Sequence, residues 1–159
     1  MMEKIHRLIS TCLGIGYTPK GGGTVAAIVC CIAWYFTRTG GSGGNYDSTF
    51  GPLLATASIF AIGVWSANKV EAYWGKDSSK VVIDEVAGMC LTLLFIPVRW
   101  QYILCGLILF RFFDIAKPLG IRKMEELKGG WGVMMDDMLA GLYSNIVLQV
   151  IVLSKLWQI

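Results

Sequence analysis

The sequence predicts an all-α fold, a small multi-pass helical membrane bundle with about four apolar segments. Hydrophobic residues make up 55% of the 159-residue chain and charged residues only 16%, and the mean hydropathy is +0.58. An average soluble domain is about 45–50% apolar and about 25% charged, so this balance indicates a bilayer environment. The length of the chain predicts a single domain that covers residues 1–159.

Four runs of the chain carry almost no charge. They are residues 21–37, residues 49–68, residues 86–98 continuing through 100–110, and residues 138–154. A helix needs about 20 apolar residues to cross roughly 30 Å of hydrocarbon. The second run is long enough, the first and last are borderline, and the third needs separate treatment.

The third run contains Pro97 and Arg99. Proline removes a backbone donor, and an arginine near the bilayer centre costs on the order of 3 kcal/mol even on lenient insertion scales. Two short helices that turn at 97–99 avoid both costs, so we expect a broken or re-entrant helical hairpin. Such a hairpin returns the two polar segments, 68–85 and 111–137, to one face of the membrane.

Cations are concentrated on that same predicted face, which the positive-inside rule makes cytoplasmic. The cations that we assign to it are Lys4, Arg7, Lys20, Lys69, Lys76, Lys80, Arg111, Lys117, Arg122, Lys123 and Lys128. The formal net charge is only +3 and is spread over the loops, so it favours contact with anionic lipid over nucleic acid. No nucleic-acid partner is expected.

Two pairs of adjacent acids stand at the heads of apolar runs. Asp84 and Glu85 precede the third run, and Asp136 and Asp137 precede the last. One carboxylate would suffice to cap a helix, which is the simpler explanation of each pair. Two such pairs repel each other unless a cation lies between them, and Mg²⁺ binds carboxylates, water and phosphate oxygens. We therefore predict a Mg²⁺ site.

A third polar group follows the hairpin. Arg111, Asp114 and Lys117 are spaced i, i+3 and i+6, which places them on one side of a helix. They form either an intrahelical ion-pair ladder or a phosphate-binding surface, since arginine and lysine bind phosphate oxygens well. Beside paired acids, this pattern indicates phosphoryl chemistry at a membrane surface.

The sequence lacks the residues that several other catalytic mechanisms require. His6 is the only histidine, which excludes a mechanism that needs two, and no G-x-x-x-x-G-K-[ST] loop is present. Cys105 and Arg111 have the C-x5-R spacing of cysteine-dependent phosphatases. The residues between them are apolar and helical, whereas that chemistry needs a turn of converging amides. We treat this match as chance.

Four stretches resemble the successive motifs of the phosphatidylglycerophosphatase A family, over about residues 12–145. They are GIGYTPKGGGT at 14–24, KDSSKVVIDEVAG at 76–88, RFFDIAKPLGI at 111–121 and KGGWGVMMDDMLAG at 128–141. The resemblance implies a helical bacterial inner-membrane enzyme with a cytoplasmic-facing active site. Such an enzyme removes the terminal phosphate of phosphatidylglycerophosphate in the bilayer, with Mg²⁺, to give phosphatidylglycerol.

The resemblance also implies roles for individual residues. The metal-side acids would be Asp77, Asp84, Glu85, Asp136 and Asp137. We expect Asp84 and Asp137 to hold Mg²⁺, assisted by Glu85 or Asp136. Arg111, Asp114 and Lys117 would complete the catalytic group, with Arg111 and Lys117 also binding the substrate.

The first motif would contribute Lys20 and Thr24 to substrate binding. There the family usually has proline where this chain has Gly22, and after Lys117-Pro118 it usually has Trp-Pro where this chain has Leu119-Gly120. We therefore expect a looser loop in this motif, and the substrate-binding roles given to Lys20 and Thr24 depend on its shape.

Two other functions fit the composition. Acids and cations inside a membrane are also typical of an ion carrier or a non-enzymatic membrane subunit. A CDP-alcohol-type phospholipid transferase would use clustered aspartates and Mg²⁺ too, but its D-G-x2-A-R…G-x3-D-x3-D signature is absent from the chain. The sequence leaves open whether water or an aspartate attacks phosphorus, and it does not indicate an oligomeric state.

Overall fold

The structure is a computed structural model that describes residues 2–39, 50–76 and 78–155. Within these ranges the chain forms seven α-helices, one short 3-10 turn at Ile15–Tyr17 and no strand, which confirms the all-α prediction. The helices are α1 (Met2–Ser10), α2 (Gly22–Thr39), α3 (Phe50–Trp74), α4 (Ile83–Leu93), α5 (Trp100–Ala116), α6 (Ile121–Met124) and α7 (Gly130–Leu153).

Two helices of the described chain, α3 and α7, are long and apolar enough to cross a membrane. Their 25 and 24 residues correspond to about 37 Å and 36 Å at 1.5 Å per residue, against a hydrocarbon core of roughly 30 Å. Large apolar side chains on their outer surfaces, such as Leu54, Val150 and Leu153, are well exposed. A membrane environment for this surface is the simplest explanation of that exposure.

The third apolar run is broken, as Pro97 and Arg99 predict. Helix α4 ends at Leu93 and α5 begins at Trp100, so the break starts several residues earlier than the predicted turn at 97–99. Asn145 of α7 explains the earlier end, because its side-chain amide donates to the carbonyls of Thr92 (2.9 Å) and Leu94 (2.8 Å). Helix-end carbonyls need such partners when they are buried.

Helices α4 and α5 pack antiparallel across the break. The space beside Gly88, at the middle of α4, is filled by the ring of Phe110, in the second half of α5. Gly106, about one turn earlier on α5, packs against Thr92 and Leu93, about one turn later on α4. The start of α4 and the end of α5 therefore lie at the same end of the bundle.

The last acid pair is not a helix cap, so that sequence-based explanation is wrong. Helix α7 begins at Gly130, and Asp136 and Asp137 lie about two turns inside it. The helix starts early because Gly130 packs on the backbone of α3, where its amide donates to the side-chain oxygen of Asn68 at 2.6 Å. Asp84 and Glu85, by contrast, do occupy the first turn of α4.

The centre of the bundle is the packing of α4 on α7; α3 and α5 each contact both of these helices, and α2 packs on α4 and α5. Met89, Leu93, Tyr102, Phe110 and Leu148 are almost completely buried there. Burial of each such side chain contributes roughly 1.5–3 kcal/mol. This core fixes the separation of α4 and α7, and both helices carry acids at their polar end.

Candidate active site

A polar cavity of about 280 Å³ lies at the end of the bundle where α4 begins and α5 ends. Its walls come from the glycine-rich loop and first turn of α2, the loop before α4 and its first turn, the end of α5, and the second and third turns of α7. The charged side chains that line it are Asp84, Glu85, Asp114, Lys117, Asp136 and Asp137. Residues far apart in the sequence therefore converge on one concave polar site.

Three of these carboxylates form a tight cluster. Asp84, Glu85 and Asp137 each present an oxygen within 4.8 Å of the others. Asp84 is only 9% exposed and Asp137 only 3%. The second carboxylate oxygen of Glu85, Oε2, is buried and has no hydrogen-bond partner among the described residues. A buried oxygen without a donor beside two other acids fits a bound cation.

The cluster exists because α4 and α7 cross at two glycines. Gly88 lies four residues after Asp84, and Gly141 lies four residues after Asp137. A Cβ added to Gly141 would lie 2.4 Å from the carbonyl oxygen of Gly88, so the two backbones touch. Residues four apart share one face of a helix, and the acids one turn away therefore face each other.

The electrostatics of the cluster are unfavourable without a cation. Asp84 lies ahead of the apolar run that starts at Val86, and burial raises the pKa of its carboxyl well above the ordinary range. The nearby charges of Glu85 and Asp137 raise that pKa further. Desolvation and like charges both disfavour the ionised form, whereas a divalent cation would favour it.

Lys117 is fixed by two carboxylates. Its Nζ lies 2.6 Å from Oδ2 of Asp136 and 2.6 Å from Oε1 of Glu125. Burial by itself lowers the pKa of this lysine, but the hydrogen bonds and charges of Asp136 and Glu125 outweigh that effect and raise it above its ordinary value. Lys117 therefore remains a cation and contributes a permanent positive charge to the cavity wall.

The backbone at Lys117 is unusual. The residue ends α5 with φ at +46°, in the left-handed region that glycine normally occupies. A non-glycine residue held there costs on the order of 1 kcal/mol. The same turn directs the lysine towards α7, so it does not continue the predicted ladder on α5.

Only the first part of the predicted ion-pair ladder forms. Arg111 and Asp114 pair on α5 at 2.7 Å. Asp114 lines the cavity, but Arg111 is not among the described residues that do. Arg111 therefore stands behind Asp114, one turn from the cavity wall.

The first motif supplies backbone more than side chains. Gly23 packs directly against the Glu85 carboxylate, since a Cβ there would lie 1.8 Å from Oε1. Gly16 packs equally closely on the carbonyl of Lys80, which joins the two loops. Lys20 is exposed and Thr24 is half-buried, and neither belongs to the described residues of the cavity wall. Asp77 lies outside the described residues.

Sequence reasoning missed two features of the site. Glu125, the second partner of Lys117, lies eight residues further along a charged stretch with nothing to distinguish it from Glu126. The glycine crossing could have been found in the sequence, because both acid motifs contain an aspartate followed four residues later by glycine. On two helices, that repeat places each acid one turn from a possible close contact.

The fold and the site together define an all-helical protein with membrane-suited helices and a buried acid–lysine centre at one end. The family model described as Phosphatidylglycerophosphatase A matches residues 8–152. The chain belongs to the phosphatidylglycerophosphatase A family.

Individual relatives agree with this assignment. A Haemophilus influenzae protein named Phosphatidylglycerophosphatase A is 44% identical over 98 residues, which is 60% of each chain. The Escherichia coli protein of the same name is 30% identical over 154 residues, covering 92% of this chain and 83% of its own. A Bacteroides thetaiotaomicron protein, provisionally named a phosphatidylinositol-3-phosphatase, is 44% identical over 154 residues, covering 90% and 91%. No solved structure matches the chain.

Proposed function

We propose that this protein is a Mg²⁺-dependent phosphatase that hydrolyses phosphatidylglycerophosphate to phosphatidylglycerol and phosphate. The observation that carries the proposal is the cluster of Asp84, Glu85 and Asp137 beside Lys117, in a chain of this family. A cation-binding acid cluster next to a fixed positive charge is what a phosphomonoester needs for binding and charge neutralisation.

The three clustered carboxylates fit Mg²⁺. The ion takes oxygen ligands, usually from one or two carboxylates, together with water and substrate phosphate. Asp84, Glu85 and Asp137 would hold it. The Oε2 atom of Glu85, which is buried without a hydrogen-bond donor, is the oxygen that most needs a cation. When bound, Mg²⁺ neutralises phosphate charge and polarises the phosphoryl group.

The other residues of the cavity have separate tasks. Lys117 remains protonated and binds phosphate oxygens, while Asp136 and Glu125 hold it in place. Arg111 orients Asp114 on the wall of the cavity. The nucleophile is either water, for which a cavity carboxylate would act as base, or an aspartate that forms a phosphoenzyme. Trapping of labelled phosphate on the protein would establish the second route.

We further propose that the protein is a multi-pass protein of the bacterial inner membrane, with its active site on the cytoplasmic face. Helices α3 and α7 would cross the membrane, with α2 and the α4–α5 hairpin completing four apolar segments, the hairpin being re-entrant. The cations near the polar end of the bundle, including Lys76, Lys80 and Lys117, support this orientation through the positive-inside rule.

A second substrate is suggested by one relative. The Bacteroides protein, which matches this chain over nine-tenths of its length, has a provisional name that refers to a phosphatidylinositol phosphate. That lipid and phosphatidylglycerophosphate both join a phosphomonoester head group to a diacylglycerol phosphate. The cavity chemistry described above serves either, so phosphatidylinositol 3-phosphate is the second candidate substrate.

One assay tests both candidates. Purified protein in detergent is incubated with each lipid, with added Mg²⁺ or with excess chelator, and free phosphate is measured. We expect Mg²⁺-dependent release from phosphatidylglycerophosphate at a higher kcat/KM than from phosphatidylinositol 3-phosphate. The reverse ratio would assign the second substrate, and no release from either lipid by folded protein would refute the phosphatase proposal. Full activity in chelator would refute the Mg²⁺ requirement alone.

A further inference from the structure

A second, larger cavity of about 630 Å³ runs along the side of the bundle. It lies between α2 and α3 and reaches the first turns of α4. Its lining is almost entirely apolar, with Val29 and Ala33 on α2, Ala55 and Ile59 on α3 and Cys90 on α4. We refer to it as the α2–α3 groove.

The groove begins beside the carboxylate cluster. Gly23 and Glu85 are in contact at the edge of the polar cavity. Ala26, one turn further along α2, and Val86, the residue after Glu85, both line the groove. The apolar groove and the polar cavity are therefore separated by about one helical turn.

The length of the groove suits a single lipid chain. Along α2 it extends from Ala26 to Arg38, and twelve residues correspond to about 18 Å at 1.5 Å per residue. One leaflet accounts for half of a hydrocarbon core of roughly 30 Å. An acyl chain whose head group is at the polar cavity would fit within this length.

Among the residues that the structure describes, the groove is open along its side. Val29 is 44% exposed, and Ala33 and Ala55 are also exposed. Leu13, which lines the groove, and Val25, one turn before Val29 on α2, are also large, apolar and exposed. A groove with an apolar lining and an apolar rim receives its occupant from a lipid phase, because water would leave both surfaces unfavourably hydrated.

We infer that the α2–α3 groove binds one acyl chain of the lipid substrate while the phosphate occupies the polar cavity. The inference rests on the proposed phosphatase function and adds to it the place where one acyl chain of the substrate binds. The contact between Gly23 and Glu85 at the junction makes the two parts of the site continuous. Binding energy from the chain would then position the phosphate against the cluster.

The test fills the groove with phenylalanine. Ala55→Phe and Ala33→Phe each add a ring inside the groove, on different helices, so the failure of one variant to fold leaves the other. Ala57→Phe is the matched control, since Ala57 is exposed on α3 and is not among the described groove residues. Each variant is assayed with long-chain phosphatidylglycerophosphate and with a soluble short-chain analogue that does not reach residues 33 and 55.

We expect the groove variants to lower kcat/KM for the long-chain lipid at least about tenfold, the scale on which a pocket discriminates by apolar contacts. Activity on the short-chain analogue should be unchanged, and Ala57→Phe should leave both activities unchanged. Equal loss on both substrates, or full long-chain activity in both groove variants, would overturn the inference.

A second measurement does not depend on activity. Native mass spectrometry of protein purified in mild detergent should detect a phospholipid retained by the parent chain and by Ala57→Phe, and absent from both groove variants. If lipid retention follows this pattern while neither substrate is hydrolysed, the phosphatase proposal fails and the groove assignment stands. Equal retention in all variants, or a change of oligomeric state in the groove variants alone, would show that a chain does not occupy the groove.

Discussion

Gly88 of α4 and Gly141 of α7 meet backbone to backbone, each four residues after an aspartate of the carboxylate cluster. No side chain fits between them, so the distance between the acids depends on the absence of two Cβ atoms. The site is in this sense a product of helix packing rather than of loop conformation.

Gly141→Ala should separate α4 from α7. Its methyl group would lie 2.4 Å from the Gly88 carbonyl oxygen, and backbone cannot yield as a side chain can. We expect a loss of about 1–3 kcal/mol in unfolding free energy, as for overpacked cores. A shift of about 1 Å in the acids should lower kcat about a hundredfold.

The matched control for that change is Gly106→Ala, which meets only side-chain atoms of Leu148, Leu93 and Thr92, at 3.1 to 3.3 Å. Phosphate release and thermal unfolding in detergent measure the two effects. Equal behaviour of the two alanine variants would contradict the role given to the glycine crossing.

Asp84→Asn and Asp137→Asn should each abolish the Mg²⁺-dependent reaction. Each change removes one charge from the proposed cation site without changing side-chain size, so kcat should fall at least about a hundredfold. Glu3→Gln is the control, because Glu3 is a partly exposed acid of α1 that pairs with Arg7 and is not among the described residues of the cavity wall. Near-normal phosphate release by either asparagine variant, with normal unfolding, would contradict the proposed Mg²⁺ ligands.

Lys117 should act as a fixed charge and not as a proton donor. Lys117→Met should lower kcat/KM about a hundredfold, whereas Lys117→Arg, which keeps the charge, should lose much less. Because the pKa of Lys117 is raised in the folded protein, its ion pairs remain complete up to the ordinary lysine range and weaken only as pH rises through the folded value. The alkaline limb of the pH–rate profile should therefore be the same for the parent and Lys117→Arg. A limb that disappears in the arginine variant would assign a titrating role to the lysine.

Gly23→Ala should lower activity without lowering stability. The added methyl group would overlap Oε1 of Glu85, which is the far end of a flexible side chain and can move aside. We expect kcat/KM to fall at least about tenfold through misplacement of that carboxylate, while alanine in a helix favours folding by about 0.5–1 kcal/mol over glycine. Gly22→Ala, whose methyl would meet its neighbours at an ordinary 3.5 Å or more, should have the smaller effect on activity. Melting temperatures and rates of phosphate release, measured for both alanine variants, test this prediction.

Asn145→Ala should destabilise the break between α4 and α5. It leaves the carbonyls of Thr92 and Leu94 without their donor, which costs about 1–3 kcal/mol for buried groups. Gln149→Ala removes a single long contact of 3.5 Å to the exposed Phe95 carbonyl and should cost less than about 0.5 kcal/mol. Reversible unfolding in mixed micelles measures both, and equal losses would mean that the carbonyl contacts of Asn145 do not stabilise the break.

Much of the fold follows from local signals in the sequence. The apolar runs predict helices, and Pro97 with Arg99 predicts the break because both residues disfavour a continuous buried helix. The exact end of α4 could not be predicted, since it depends on Asn145, which lies more than fifty residues away along the chain. The start of α7 could not be predicted either. It lies before the apolar run because Gly130 donates to Asn68 of α3 and packs closely on that helix.

The same distinction holds for the site. The paired acids are visible as pairs, and three of the four meet in one cluster. Asp136 differs from Asp137 only in the direction of its side chain on α7, which sends it to Lys117 instead. The helix spacing of Arg111, Asp114 and Lys117 predicts one face, but the left-handed turn at Lys117 ends α5 first. The roles of Lys20 and Thr24 in substrate binding remain predictions.

The glycine crossing also bears on how tightly a cation could be held. Because the packing of α4 on α7 already brings the carboxylates together, a cation would bind without any rearrangement of the helices. The repulsion between the carboxylates therefore lowers the stability of the ion-free fold and does not oppose ion binding. A protein built in this way is at its least stable when empty, and occupancy of the site should raise its melting temperature in proportion to the logarithm of free ion concentration.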